Sequence, residues 1–196
     1  MLAATLYVAM TFVVGLQWPG YSVASQTISE LSAVDAPTRP LWMLLGLVYT
    51  LLMIAFGWIV WRTASNRALR VVGALLMTQA VFGFFWPPMH QRAVLAADGK
   101  TLTDTLHLVW TMATGVFFTC ALGFGAAALG NRFRVYSIAT MAIVVGCGAL
   151  TGSYASLIEA NLPTPWAGVW ERINTTVFMA WVAVLAMTLL REPKGR

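Results

Sequence analysis

The chain has 196 residues, 59% of them hydrophobic and 10% charged, with a mean hydropathy of +0.75. Soluble domains carry roughly 25% charged residues, so this composition excludes an ordinary water-soluble globule and indicates an integral membrane protein. The net charge of +5 does not argue for nucleic acid, because the basic residues stand singly between apolar runs and form no stripe that could follow a phosphate backbone.

A bilayer core of about 30 Å needs about 20 apolar residues per helix. Six runs approach that length, at about 2–18, 41–61, 71–86, 105–129, 135–151 and 170–190. The expected fold is all-α, a polytopic six-transmembrane-helix bundle forming a single domain over residues 1–196. Pro19-Gly20 stops the first span, Pro40 and Arg62 bound the second, and Pro87-Pro88 close the third, since proline cannot continue a helix. Ser22-Val23-Ala24 after the short first run resembles a signal-peptide cleavage site, but no basic residue precedes that run, so it is expected to be a retained helix. Cys120 and Cys147 lie inside apolar runs, where they read as small packing residues.

Charge gives the bundle an orientation. Arg62, Arg67, Arg70, Arg132, Arg134, Arg191, Lys194 and Arg196 occupy one set of connections and the tail, accompanied by the single acid Glu192. By the positive-inside rule this side is cytoplasmic, with both termini inside. The other side holds both histidines and the remaining acids, Glu30, Asp35, Asp98, Asp104, Glu159 and Glu171, with Arg39, Arg92, Lys100 and Arg172. Trp18, Trp42, Trp86, Trp110, Trp166 and Trp170 fit an outer aromatic belt, Trp58 and Trp61 an inner one, and Trp181 falls mid-span. The inner connections are short and the outer ones long, and long connections in a compact protein usually carry function or cover something. In lipid, small residues permit close helix approach, so Gly115, Thr119, Gly123 and Ala127 of the fourth span are expected to face Gly148 and Gly152 of the fifth.

The outer segments hold the candidate site. Thr27-x-x-Glu30 is a capping-box pattern, and the polar density of Ser25, Gln26, Ser29, Glu30 and Ser32 suggests a lining role for Ser29 and Glu30. Pro87-Pro88 projects His90 and Arg92 from the rim of the third span. Asp104 and His107 are three apart and share a helix face, as a carboxylate orienting an imidazole or two ligands of one metal would, although Thr101-x-x-Asp104 also reads as a helix cap. Thr164 as cap and Pro165 at the first position would start the sixth helix and place Glu171 and Arg172 nearly two turns in, at the hydrocarbon edge, where ionisable groups face the bundle, pair, or snorkel to lipid phosphates. The expected ligand-binding set is Ser29, Glu30, His90, Arg92, Asp104, His107, Glu171 and Arg172, convergent on one outer level.

Tyr21-Ser22, Ser25-Gln26-Thr27-Ile28-Ser29-Glu30-Leu31 and Ala36-Pro37, followed in order by the His90 turn, Asp104 and His107, and Glu171-Arg172, resemble the membrane-protein family known as domain of unknown function 998. The resemblance covers essentially the whole chain; Ser32 stands where that pattern has glycine after the leucine. It implies a six-helix fold with shared polar outer residues and brings no established activity.

Three functions follow as expectations. The first is binding of a lipid head group or small anionic ligand in an outer pocket near Arg92 and Arg172, with membrane lipids as partners and no cofactor. The second is a metal-dependent intramembrane hydrolase acting on a lipid, with zinc held by His90, His107 and one or two of Glu30, Asp104 and Glu171, and with Ser29 near the reacting centre. The third is a small transporter or transport subunit, for which no span offers an ionisable residue near its midplane; Gln79 and Asn174 are the amides of note inside the spans.

Overall fold

The computed structural model describes residues 1–191. Glu192, Lys194 and Arg196, counted above with the tail, lie outside the described residues. The helices are α1 (Leu2–Val13), α2 (Arg39–Thr63), α3 (Arg67–Phe84), α4 (Arg92–Ala96), α5 (Leu102–Ala128), α6 (Asn131–Gly152), α7 (Ala155–Glu159) and α8 (Ala167–Arg191), with 3-10 turns at Gly15–Gln17 and Ser29–Ser32. α2, α3, α5, α6 and α8 are long and apolar enough to cross a membrane, whereas the apolar stretch through α1 and its 3-10 extension, Leu2–Gln17, is shorter. The chain is therefore an all-α, multi-pass membrane protein. The first span is a short helix continued by a 3-10 turn where one longer helix was expected.

Each long helix packs on its neighbours in sequence and α8 returns to α1, so α1, α2, α3, α5, α6 and α8 close into a ring. Capping decides several ends. The Asn66 side chain accepts the Leu69 N–H at 2.9 Å to start α3, and its own amide reaches Ala128 O at 2.8 Å, joining the two short turns at that end. α3 stops at Phe84, because the residue before a proline is driven out of the helical region and Trp86 precedes Pro87-Pro88. Arg67, Arg70, Arg132 and Arg134 lie inside the first turns of α3 and α6, so the helices run past the apolar runs into their flanking charges.

The core follows aromatic stacking more than small-residue spacing. Phe118 of α5 lies flat on Phe178 of α8 with centroids 3.7 Å apart, and the fully buried Trp181 donates to Ser137 Oγ of α6 at 2.8 Å. Gly125 leaves room for the Trp181 ring. α5 and α6 do pack together, but not on the expected stripe: nothing lies within 4 Å of where a side chain on Gly115, Gly123 or Gly152 would begin. Gly148 of α6 makes space instead for Asn174 of α8, whose amide donates to Val144 O of α6 at 2.6 Å. α2 and α3 bring their backbones close together, since a methyl group on Gly73 would sit 2.5 Å from Trp61 N and 2.8 Å from Gly57 O.

Candidate functional site

The connections 14–38, 85–101 and 153–166 meet at one end of the ring, and every acid among the described residues lies in them or near the start of α5 or α8. In the first, Gly20 adopts φ +84, which lets the chain turn back after Pro19. The segment then curls on itself: Gln26 Oε1 accepts the Ser22 N–H at 2.9 Å, and the Tyr21 hydroxyl donates to Thr27 O at 2.7 Å. Burial pushes the Tyr21 phenol above its ordinary pKa, so it stays protonated as that donor. Glu30 takes the Thr27 N–H at 2.7 Å and the Thr27 hydroxyl at 3.0 Å. This is only the carboxylate half of the expected capping box, and it opens a 3-10 turn. Ile28 and Leu31 are buried within the protein, Leu31 against Met10 and Val14, instead of facing lipid.

Arg92 joins all three connections. From the start of α4 its guanidinium grips both oxygens of Glu30 at 2.6 and 2.8 Å, donates to Ser25 O at 3.1 Å, and reaches Thr164 Oγ1 at 2.8 Å and Leu162 O at 3.5 Å. Thr164 in turn donates to Ser25 O at 2.7 Å. Its hydroxyl therefore serves the first connection and not a helix end; α8 begins at Ala167, so Glu171 and Arg172 sit only about one turn in.

Arg172 turns inward and is 4% exposed. Its Nη1 donates to Val23 O, Gln26 O and Gly168 O at 2.7 to 3.1 Å, and its Nη2 to Thr11 O and the Tyr21 hydroxyl at 3.2 and 2.7 Å. Its Nε is buried without a partner among the described residues, and the guanidinium lies 5.7 Å from the ring centroids of Phe12 and Tyr21. Gly168 makes this possible, because any side chain there would strike the Val23 and Gln26 carbonyls. The neighbouring Glu171 accepts the Ile28 N–H and lies 3.5 Å from the Ser29 hydroxyl. Glu30 and Glu171 thus take the consecutive amides of Thr27 and Ile28.

The histidines hold a separate part of the rim. Asp104 accepts the His90 N–H at 2.7 Å, meets His90 Nδ1 at 2.9 Å, and completes the predicted capping box with Thr101. His107 Nδ1 bonds Pro87 O at 2.8 Å, and its ring stands edge-on to Trp86. Asp104 and His107 do share a helix face, and together they clamp the Pro87 to His90 turn. Among the described residues no three His, Cys, Asp or Glu side chains gather to hold a metal ion, so these side chains do not fit the expected zinc set.

A shallow hollow of about 430 Å³ opens where the connections meet, lined by Ser25, Gln26, Arg92, Asn161, Thr164 and the wall Leu162, Pro163 and Pro165. A second of about 130 Å³ adjoins it, sharing Gln26, Arg92 and Asn161 and reaching Glu30 and Trp18. Of the expected set, Arg92 and Glu30 line this space. Ser29, Glu171 and Arg172 lie under the first connection, and His90, Asp104 and His107 secure the second. Tyr21, Ser25, Thr164, Gly168 and Asn161 stand outside the expected ligand-binding set; the polar density of the first outer segment pointed to Ser25, the four-residue spacing of Thr164, Gly168 and Arg172 links those two to Arg172, and nothing local in the sequence marks Asn161.

Neither a curated protein nor a solved structure matches the chain. The family model described as "Protein of unknown function (DUF998)" matches residues 1–188, and the chain belongs to that family.

Proposed function

We propose that this multi-pass membrane protein seats the polar head group of a membrane lipid, or a small anionic ligand, in the hollow beside Arg92, at its non-cytoplasmic end. The carrying observation is the hollow itself: one space where three separate connections meet, polar on one side, apolar on the other, and with no acid among the residues of its larger part. Exposed Trp166 beside it suits the membrane interface. The orientation is supported by the opposite end, where Arg62, Arg67, Arg70, Arg132, Arg134 and Arg191 are exposed and no acid lies among the described residues. Arg172 has no ligand-facing part in this reading, since both its terminal nitrogens serve the first connection.

Filling the hollow tests the reading. Ser25→Phe occupies the space and keeps the Ser25 carbonyl that Arg92 and Thr164 use. Lipid retained by the purified protein, measured by mass spectrometry, should fall while the thermal midpoint stays near wild type. Full lipid retention by a folded Ser25→Phe protein would refute it.

A further inference from the structure

The uncommitted groups of the hollow narrow the reading above, on which this inference rests. A guanidinium has five N–H bonds, and every one of Arg92's has an acceptor: two on Glu30, the others on Ser25 O, Thr164 Oγ1 and Leu162 O. Its charge is matched by the carboxylate it grips. An arriving phosphate would have to compete with these acceptors for the guanidinium, and one that displaced Glu30, 2% exposed, would leave its negative charge unmatched.

What remains free in the lining is neutral. Among the described residues the Ser25 hydroxyl and the Asn161 amide have no hydrogen-bond partner, and Gln26 Nε2 uses one of its two N–H bonds, on Glu30 at 3.2 Å. Asn161 sits at φ +52, a left-handed conformation that asparagine tolerates and that fixes where its amide starts. Hydroxyl and amide groups both donate and accept. An anion offers only acceptors and would use only the donor half of these groups, whereas a ligand hydroxyl answers both halves. Leu162, Pro163 and Pro165 form the apolar wall against which the C–H face of a sugar ring can lie, and Trp18 stands in the adjoining hollow.

We infer that the hollow takes an uncharged, hydroxyl-rich head group, the sugar of a neutral glycolipid, held by Ser25, Gln26 and Asn161 with the Arg92–Glu30 pair left intact.

The full chain, reconstituted in phosphatidylcholine vesicles with equal mole fractions of monoglucosyl diacylglycerol and phosphatidylglycerol and then extracted in mild detergent, provides the test by mass spectrometry of retained lipid. The glucosyl lipid should be enriched several-fold over its vesicle share, and phosphatidylglycerol should not. Asn161→Gly, which suits the positive φ, and Ser25→Ala should each bring the glucosyl lipid back to its share. Enrichment of phosphatidylglycerol instead, or glucosyl-lipid enrichment untouched by both variants, would overturn this inference while leaving lipid binding standing. Enrichment of neither lipid would overturn this inference together with the lipid form of the reading above.

Discussion

Arg172 shows how a charge can be kept out of water at low cost when backbone surrounds it. Four carbonyls and the Tyr21 hydroxyl receive its terminal nitrogens, and the faces of Phe12 and Tyr21 enclose it. Removing the guanidinium strands buried acceptors, each costing about 1–3 kcal/mol when left unpaired. Arg172→Met should therefore lower unfolding stability in detergent by about 3 kcal/mol or more, and Arg172→Lys should recover only part, because an ammonium lacks the planar fork. A chemical-denaturation midpoint measures this; wild-type stability for Arg172→Met would mean that the residue is not a tie. The sequence marks Arg172 as out of place under the positive-inside rule, yet its inward direction depends on Gly168, whose missing side chain admits the first connection. That dependence is three-dimensional and leaves no local pattern. Glu30 and Asp104 were readable from their capping spacing, and both make those local bonds. Their long-range partners, Arg92 and His90, come from other connections whose path the spacing does not encode.

At the scale of helices, small residues act only on the face that a partner uses. Gly57 and Gly73 face each other, so a side chain on either would press on backbone that cannot yield locally. Gly115 and Gly123 look away from the bundle core, into open space. Gly73→Leu should then cost about 1–3 kcal/mol through forced separation of α2 and α3. Gly123→Ala should be neutral or stabilising by about 0.5–1 kcal/mol through helix propensity. Thermal unfolding of the two variants side by side decides the matter, and equal effects would contradict the helix faces assigned here. The six apolar runs were legible because hydrocarbon thickness imposes their length, and the prolines marked their ends. The choice of face was not, since stripes of glycine and of aromatics compete on α5 and the stack of Phe118 on Phe178 takes the core side. The short first helix was also misjudged in length, because apolar character alone does not separate α-helix from the 3-10 turn at Gly15–Gln17.

Across the whole molecule, six helices form a ring with very different ends. One is closed by tight turns, joined by Asn66 to Ala128 O and surrounded by exposed arginines. The other is closed by three long connections whose buried charges are spent on each other and on backbone groups. Arg92 binds the first connection through Glu30 and Ser25 and the third through Thr164, while Lys100 and Glu159 pair at 2.8 Å across the second and third. The exposed Lys100 pair contributes little, about 0–1 kcal/mol; the pair of part-buried Arg92 with buried Glu30 holds the connections together and shapes the hollow between them. The sequence foretold that these charges gather at one level. It did not foretell that they serve as ties more than as an open lining, because that depends on how many of their hydrogen bonds the protein itself completes.

A double-mutant cycle of Glu30→Gln and Arg92→Met, read as unfolding stability in detergent, tests this most directly. Arg92→Met leaves the buried Glu30 unmatched and should cost about 3 kcal/mol or more, Glu30→Gln leaves the part-buried Arg92 without its carboxylate and should cost less, and the double mutant should lose less than the two summed, with a coupling of about 2 kcal/mol. Single-mutant effects that add within about 0.5 kcal/mol would show the two side chains to be independent and would contradict an end cap built on their pairing.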